Sequence, residues 1–233
     1  MDPRPFVIFG WEHFLGLALS LGLGGVLVWT VRRSGSRGLD WAVRGALAAG
    51  CLASEVYMVI WWSWAGAPLQ YLLPLHLCDI SVVLAPIVLL TGSRLGYELL
   101  YFWGFGGAIQ GLLTPNIAWG FPHIRCACCF LLHGLIVTGA LYATVVMRQR
   151  PTPRSLLRAW LIANAYALCL IPVNFALDTN YMFLLRKPIT PSLLDVMGPW
   201  PWYLVVADVF GLLVMSLCYL PFFLLDRMRR RRG

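Results

Sequence analysis

The sequence predicts an all-α, polytopic membrane protein with seven transmembrane helices, its N-terminus outside and its C-terminus in the cytoplasm. Hydrophobic residues make up 60% of the 233 residues, and charged residues only 12%. A soluble domain carries about 25% charged residues, so this chain has too little charge to coat a soluble globule. Disorder is excluded because it requires low hydrophobicity. The apolar runs are long and continuous, unlike the short alternating segments of a β-barrel.

Seven apolar stretches are long enough to cross a hydrocarbon core, because about 20 helical residues cover about 30 Å. We predict one membrane domain over residues 1–233, with spans near 8–31, 41–65, 72–91, 95–114, 124–147, 156–178 and 202–225. The longest connection, 179–201, contains four prolines and is expected to pack as an extracytoplasmic loop. In the fourth span, Gly107 and Gly111 are expected to form a close-packing pair.

The distribution of Lys and Arg predicts the orientation. With the N-terminus outside, Arg4, Arg125, Arg186 and Lys187 are the basic residues that lie outside. The other fourteen of the 18, including those in the C-terminal run 227–232, lie at the cytoplasmic ends. A basic run directly after a span is typical of an anchor on anionic lipid, so no nucleic-acid partner is expected.

The uncommon polar side chains are concentrated in the outer half of the predicted bundle. A polar group in hydrocarbon is costly unless it is satisfied, so each one is a functional candidate. At 1.5 Å per residue, Cys78 lies about 9 Å and His133 about 13 Å below the outer boundary, whereas Glu55 and Asn164 lie nearer the middle. The candidates for substrate binding are His13, His76, Gln110, His123, Arg125, Asn174, Asn180 and Tyr181.

Cys78 and His133 combine into a possible nucleophile and base. A thiol reacts as the thiolate, which in apolar surroundings needs a base or a cation. His133 supplies that base if the third and fifth spans are neighbours. His76 and Cys78 lie about 160° apart on a regular helix, so both face one pocket only if Pro74 disturbs the first turn. His76 and Asp79 do share a face, and the spacing leaves open which face is the active one.

Two other functions fit parts of this pattern. One is a zinc-dependent seven-span lipid hydrolase, although the seventh span has no histidine; its candidate ligands are His13, His76, Asp79, His123 and His133. The other is a non-enzymatic binder or transporter of a small or lipidic ligand, in which Glu55 and Asp208 serve proton coupling. Cys126, Cys129 and His133 also share one helical stripe, which suits either a soft metal or plain packing.

Six ordered motifs carry a resemblance to a known family. They are Pro74-Leu-His76-Leu-Cys78, Tyr101-Phe-Trp103-Gly104 with Gln110 and Thr114-Pro115, Gly120-Phe-Pro122-His123, His133-Gly134, Asn180-Tyr181-Met182-Phe183-Leu184 and Gly198-Pro-Trp-Pro-Trp-Tyr203. With them the sequence resembles the YwaF-type bacterial integral membrane proteins over nearly its whole length. That family is similar to a eukaryotic membrane acyltransferase that places polyunsaturated acyl chains into ether phospholipids, using a Cys and a His. More distantly, it is similar to androgen-regulated membrane hydrolases of fatty-acid esters, which use a Thr and a His.

The resemblance implies an intramembrane lipid acyltransferase or acyl hydrolase with Cys78 as nucleophile and His133 as general base. The substrate is then a phospholipid or lysophospholipid, the reaction passes through a thioester, and no cofactor or metal takes part. The place is the bacterial inner or plasma membrane, as a multi-pass protein. The candidates to hold the lipid phosphate are Arg125, Arg186 and Lys187. The candidates to donate hydrogen bonds to the oxyanion are Gln110, His76, Asn174 and Asn180.

Overall fold

The computed structural model describes residues 4–231, so Arg232 of the predicted cytoplasmic tail lies outside the described residues. The long helical segments are α1 Trp11–Ser34, α2 Arg37–Trp64, α3 Leu77–Thr91, α4 94–113, α5 Ile124–Val145, α6 Pro153–Leu177 and α7 Trp202–Arg230. Single π-helical turns interrupt α1 at Ala18–Gly22 and α4 at Gly104–Ala108. Short 3₁₀ helices occupy Leu69–Tyr71, Tyr181–Phe183 and Leu193–Val196.

The predicted all-α class is confirmed, since residues 4–231 contain no β-strand beyond the isolated bridge between Pro5 and Trp119. The long helices follow the predicted spans in order. Five of them, α1, α2, α5, α6 and α7, are long and apolar enough to cross a membrane. The helix α3 is shorter and α4 is interrupted, so a total of seven spans and the orientation of the termini stay predictions.

Local sequence explains where several helices begin and end. Gly35 and Gly92 end α1 and α3 with φ values of 62° and 71°, a left-handed conformation that favours glycine. The hydroxyl oxygens of Ser36 and Ser93 then accept backbone N–H groups at the starts of α2 and α4. These caps make the two turns short and hold the paired helices antiparallel. The predicted tight turn between the third and fourth spans therefore has a physical basis in Gly92 and Ser93.

The helix α3 begins later than the sequence predicts. The predicted span was 72–91, but the helix starts at Leu77 and has 15 residues. It is therefore about 22 Å long, which is less than the hydrocarbon core of about 30 Å. Pro74 disfavours helical backbone in the residue before it and lacks an N–H, which accounts for the late start. If Thr91 lies at the inner boundary, Cys78 lies deeper than the predicted 9 Å.

The helix α5 is the centre of the bundle. It packs against α1, α2, α3 and α4, whereas α6 and α7 pack against α4 and each other. In the most apolar stretch of each helix, 61% of residues are buried in α5 but only 11% in α6 and in α7. The apolar side chains that α6 and α7 leave exposed would face lipid, so the central α5 is the natural platform for a site inside the bundle.

The half of the bundle remote from Cys78 and His133 is a solid core. Ala85 and Val88 of α3 are fully buried, and they pack with Leu100 of α4 and Ala140 of α5 in one cluster. A Cβ at Gly104 would lie 3.4 Å from the Cβ of Ala140, so the π-helical turn approaches α5 closely. This packing fills the middle of the bundle in that half, so the cavity beside Cys78 and His133 does not extend through it.

Candidate functional site

A cavity of about 530 Å³ lies inside the bundle, within the range of roughly 300–1,000 Å³ that is typical of ligand sites. Its walls come from α2, the start of α3, α4, the first half of α5, α7 and the loop 183–197. Five of the sequence-predicted site residues line it: Cys78, His133, His76, Gln110 and Arg125. The structure therefore brings together five candidates that are separated by up to 57 positions along the chain.

The segment 65–76 leads down from α2 to Cys78 without forming a regular helix. Non-helical backbone at membrane depth is tolerated only where protein satisfies its polar groups or where it lines a cavity. Both conditions hold for this segment. The hydroxyl of Tyr166 donates to the carbonyl of Leu75 at 2.9 Å, and that of Tyr181 donates to the carbonyl of Leu69 at 3.2 Å. Side chains from later in the sequence thus hold the segment that carries Cys78.

His76 precedes α3 rather than lying within it. The regular-helix spacing that would turn His76 and Cys78 to opposite faces therefore does not apply to this pair. The N–H of His76 donates to the Asp79 carboxylate at 2.8 Å, so Asp79 closes the start of the helix. The Nδ1 atom of His76 accepts the N–H of Met182 at 3.3 Å, which leaves Nε2 to carry the proton. Because His76 has extended backbone, His76, Cys78 and Asp79 all line the cavity.

The imidazole of His133 is held by the backbone of its own helix. Its Nδ1 lies 2.8 Å from the carbonyl oxygen of Cys129, one turn earlier. A carbonyl only accepts, so Nδ1 carries the proton and the lone pair is on Nε2. That Nε2 faces Gly111 of α4, where an added Cβ would come within 2.5 Å of it. His133 therefore presents a basic nitrogen in the gap that a glycine leaves.

The thiol nearest to His133 is that of Cys129. Its Sγ lies 3.7 Å from Nδ1, but Nδ1 already donates to the Cys129 carbonyl. No hydrogen bond joins Cys78 to His133 in the part of the chain that the structure describes. Both side chains line the same cavity, and catalytic hydrogen bonds are often long before a substrate binds. The predicted pairing of Cys78 with His133 stays a prediction.

Gln110 and Arg125 complete the polar lining. Within residues 4–231 the side-chain amide of Gln110 has no hydrogen-bond partner, and the guanidinium of Arg125 has neither a hydrogen bond nor an ion pair. The Arg125 guanidinium carbon lies 4.4 Å from the ring centroid of Trp62 and 5.7 Å from that of Tyr71. Both polar groups can therefore serve a bound molecule without breaking an internal contact.

The other five predicted binding residues do not line this cavity. His13 is fully buried between two backbone groups: its Nδ1 accepts the N–H of Phe9 at 2.8 Å, and its Nε2 lies 2.7 Å from the Leu112 carbonyl oxygen. The Nδ1 of His123 accepts the N–H of Arg125 at the start of α5. Both ring nitrogens of His13 are used, so its role in the described structure is to join α1 to α4.

Asn174, Asn180 and Tyr181 build the outer scaffold of the site. The Asn174 amide donates to the Tyr181 carbonyl and accepts the Tyr181 N–H at 2.7 Å. The Asn180 amide similarly donates to the carbonyl of Arg186 and accepts its N–H. Their amides are occupied, so of the four candidate oxyanion donors Gln110 and His76 are the two that remain.

The zinc alternative finds little support in the geometry, and one of the two carboxylates of the proton-coupling alternative is already hydrogen-bonded. Across the described residues no three His, Cys, Asp or Glu side chains come together as a metal site. Asp208 accepts hydrogen bonds from Trp160 and Asn164, both at 2.9 Å, and so acts as a link between α6 and α7. Glu55 does line the cavity, and no hydrogen bond to its carboxylate is found between residues 4 and 231.

Sequence reasoning missed three contributors to this site. Gly111 was expected to pack with Gly107, but it faces His133, and a Cβ at Gly107 would meet nothing within 4 Å. Tyr166 and the stacked ring of Tyr71 were not singled out at all. A glycine directly after a polar Gln gave a weak signal for the gap beside His133. No local pattern predicts that a tyrosine of α6 reaches a carbonyl of the segment 65–76.

Comparison with known proteins gives a family and one distant relative. The sequence model of the TMEM164 family matches residues 8–219. A protein of Treponema pallidum (strain Nichols), described as uncharacterized, is 27% identical over 150 residues. That match covers 64% of this chain and 62% of the relative, so the chain spans less than two thirds of that relative's length. No solved structure matches. The resemblance to YwaF-type proteins and to acyltransferases stays a prediction.

Proposed function

Since this chain belongs to the TMEM164 family, a family of membrane proteins, we propose that it is an intramembrane enzyme that transfers or hydrolyses the acyl chains of membrane lipids. The observation that carries the proposal is the cavity itself. It brings together a thiol at Cys78, an imidazole at His133 and, at Gln110, an amide that has no hydrogen-bond partner within residues 4–231. These are the three groups that acyl transfer requires: a nucleophile, a base and a donor for the oxyanion.

In the first half of the reaction, His133 Nε2 takes the proton of the Cys78 thiol. The thiolate sulfur bonds to the carbonyl carbon of the lipid ester, and the negative charge moves to the carbonyl oxygen. The ester C–O bond then breaks, and the proton on His133 passes to the leaving oxygen. The products are a lysolipid and a thioester on Cys78. Closure of the gap between Cys78 and His133 accompanies substrate binding.

In the second half, His133 takes the proton of an acceptor hydroxyl, either that of a lysophospholipid or that of water. The acceptor oxygen attacks the thioester carbon, the C–S bond breaks and Cys78 regains its proton from His133. Gln110, or the Nε2–H of His76, donates to the oxyanion in both halves. One good oxyanion donor lowers the activation barrier by about 3–4 kcal/mol.

The hydrogen bond of His133 to the Cys129 carbonyl favours this division of roles. It holds the ring in one tautomer and directs the basic Nε2 toward α4, where Gln110 lies one residue from Gly111. The proposal further includes seven spans with the N-terminus outside, a cavity toward the outer leaflet, and location in a bacterial cell membrane. The apolar walls suit acyl chains, and Arg125 suits a charged headgroup.

The test is acyl turnover by the purified protein in vesicles. A phospholipid with a labelled acyl chain and an unlabelled lysophospholipid are supplied together, and label is measured in the phospholipid formed from the lysophospholipid and in free fatty acid. Cys78→Ala is expected to abolish both products and the labelled thioester. Cys218→Ala is the matched control, because Cys218 does not line the cavity. Wild-type turnover by Cys78→Ala contradicts the proposed mechanism.

Glu55 supports a second candidate function. Its carboxylate lines the cavity and accepts no hydrogen bond from the described part of the chain, which suits a binder or a proton-coupled transporter. The same vesicles decide between the two functions. Ligand flux that follows an imposed pH gradient and requires Glu55, without any acyl turnover, would establish transport instead of catalysis.

A further inference from the structure

The geometry points to Arg125 as the residue that binds the phosphate of a lipid headgroup bidentately and so selects phosphate-bearing lipids over neutral ones. The inference rests on the proposed function, because it concerns the same cavity. It goes further by choosing one cation among the candidates and by naming the surface that holds it.

Arg125 is held in place by aromatic rings. Trp62, from the end of α2, and Tyr71, from the 3₁₀ helix, stack on each other with centroids 4.5 Å apart and an interplanar angle of 21°. The guanidinium of Arg125 lies over Trp62 and Tyr71. A guanidinium this close to aromatic rings is attracted by their electrons, and its N–H donors, which match the oxygens of a phosphate, make no hydrogen bond within residues 4–231. The rings thus fix the cation without using its donors.

The charge of Arg125 is not neutralised within residues 4–231. The residue is half-buried and lines the cavity, yet no carboxylate of the described chain lies within ion-pairing distance of it. Removing a charge from water is costly unless a partner compensates for it. Arg125 is thus a partly buried cation at a cavity, and its five N–H donors are unused within the described residues. Such a group is suited to bind an external oxyanion.

The two other candidates for the phosphate, Arg186 and Lys187, already have partners within the protein. The Arg186 guanidinium lies 3.6 Å from the carboxylate of Asp178, and the Lys187 ammonium donates to the carbonyl of Asp195 at 3.3 Å. Neither residue lines the cavity. Of the three cations that the sequence offers for a phosphate, Arg125 alone combines unused donors with access to Cys78 and His133.

The spacing along α5 fits a glycerophospholipid. Arg125 and His133 are eight residues apart on one helix, about 12 Å along its axis. Both side chains line the same cavity, so a phosphate at Arg125 leaves the glycerol and its ester carbonyl to extend toward His133. The acyl chain then lies against the apolar residues of α7.

The test measures lipid binding rather than turnover, on the full-length Cys78→Ala protein so that bound lipid is not consumed. Affinities for dioctanoyl phosphatidylglycerol and for dioctanoylglycerol are measured in neutral detergent. The parent protein is expected to prefer the phosphate-bearing lipid. Arg125→Gln should bind it roughly 10- to 100-fold more weakly and leave binding of dioctanoylglycerol unchanged. Arg186→Gln is the control and should retain the preference.

Arg125→Lys keeps a cation near Trp62, so it tests the inference even if Arg125→Gln does not fold. Because lysine cannot bind bidentately, its preference for the phosphate-bearing lipid should fall severalfold. Retention of the full preference by either variant, or an equal loss of affinity for both lipids, would overturn the inference. The outcome is separable from the catalytic proposal: turnover by Cys78→Ala would remove the thioester mechanism but would not alter this comparison.

Discussion

His133 Nδ1 lies 2.8 Å from the carbonyl oxygen of Cys129, so the backbone of α5 fixes the tautomer of the imidazole. This contact requires no second side chain. It leaves the basic Nε2 against Gly111. Because the carbonyl of residue 129 holds the ring, the Cys129 thiol can be removed without removing this contact.

His133→Asn is expected to lower acyl turnover by about 10²–10⁴-fold, the usual contribution of a general base. The Asn amide can still donate to the Cys129 carbonyl, so the fold is preserved, but no basic nitrogen remains. Turnover and the melting temperature of the same preparation are measured. Full turnover by His133→Asn would remove the imidazole from the mechanism.

Cys129→Ala is expected to retain most of the turnover, because the carbonyl of residue 129, rather than its thiol, holds His133. Labelled acyl thioester on Cys78 should persist in this variant. The measurement is thioester trapping compared with Cys78→Ala. If Cys129→Ala loses the thioester and Cys78→Ala keeps it, Cys129 is the nucleophile.

Gly111→Ala should reduce turnover by about 10²-fold, because the added methyl displaces Nε2 of His133 and small misplacements are costly in catalysis. Gly25→Ala, in α1, adds its methyl where no atom lies within 4 Å and away from the cavity, and should behave like the wild type. The two variants have the same change in composition. Equal activities would show that the contact with His133 does not matter.

Tyr166→Phe removes the hydroxyl that satisfies the Leu75 carbonyl, which leaves a partly buried acceptor without that partner at a cost of about 1 kcal/mol. The segment 65–76 should become more accessible to hydrogen exchange, and turnover should fall because Cys78 follows it. Tyr219→Phe is the matched control, since its hydroxyl makes no hydrogen bond within the described chain. No difference between the two variants in exchange would contradict this role.

His13→Ala should destabilise the protein by about 2–4 kcal/mol, through two lost hydrogen bonds and a cavity in a fully buried position. The lower melting temperature in detergent is the measurement. Zinc content is measured on the same samples. A stoichiometric zinc ion that is lost with His13 would instead revive the metal-dependent alternative.

The amino-acid sequence was sufficient for the helical class and for the approximate limits of the helices, because these depend on local quantities. Long apolar runs, capping serines and terminal glycines act within a few residues of where they occur. The predicted start of the third span, residue 72, was wrong, because the helix begins at Leu77. A non-helical segment around Pro74 is possible only if other parts of the chain satisfy its backbone carbonyls. Tyr166 and Tyr181 supply those partners from about 90 and 110 positions away.

Composition and the length of the apolar runs therefore determined that this chain is a helical membrane protein, because neither depends on how the helices are arranged. Only the tertiary structure decided which polar residues share a cavity. His13, Asn174 and Asn180 have the same polar character as His76 and Gln110, but their hydrogen-bonding groups are already used by backbone groups. His13 contacts the Leu112 carbonyl of α4, and the two asparagines bond to the loop that follows α6. Whether a buried polar group serves the fold or a ligand depends on its partners, and those partners are set by the path of the folded backbone.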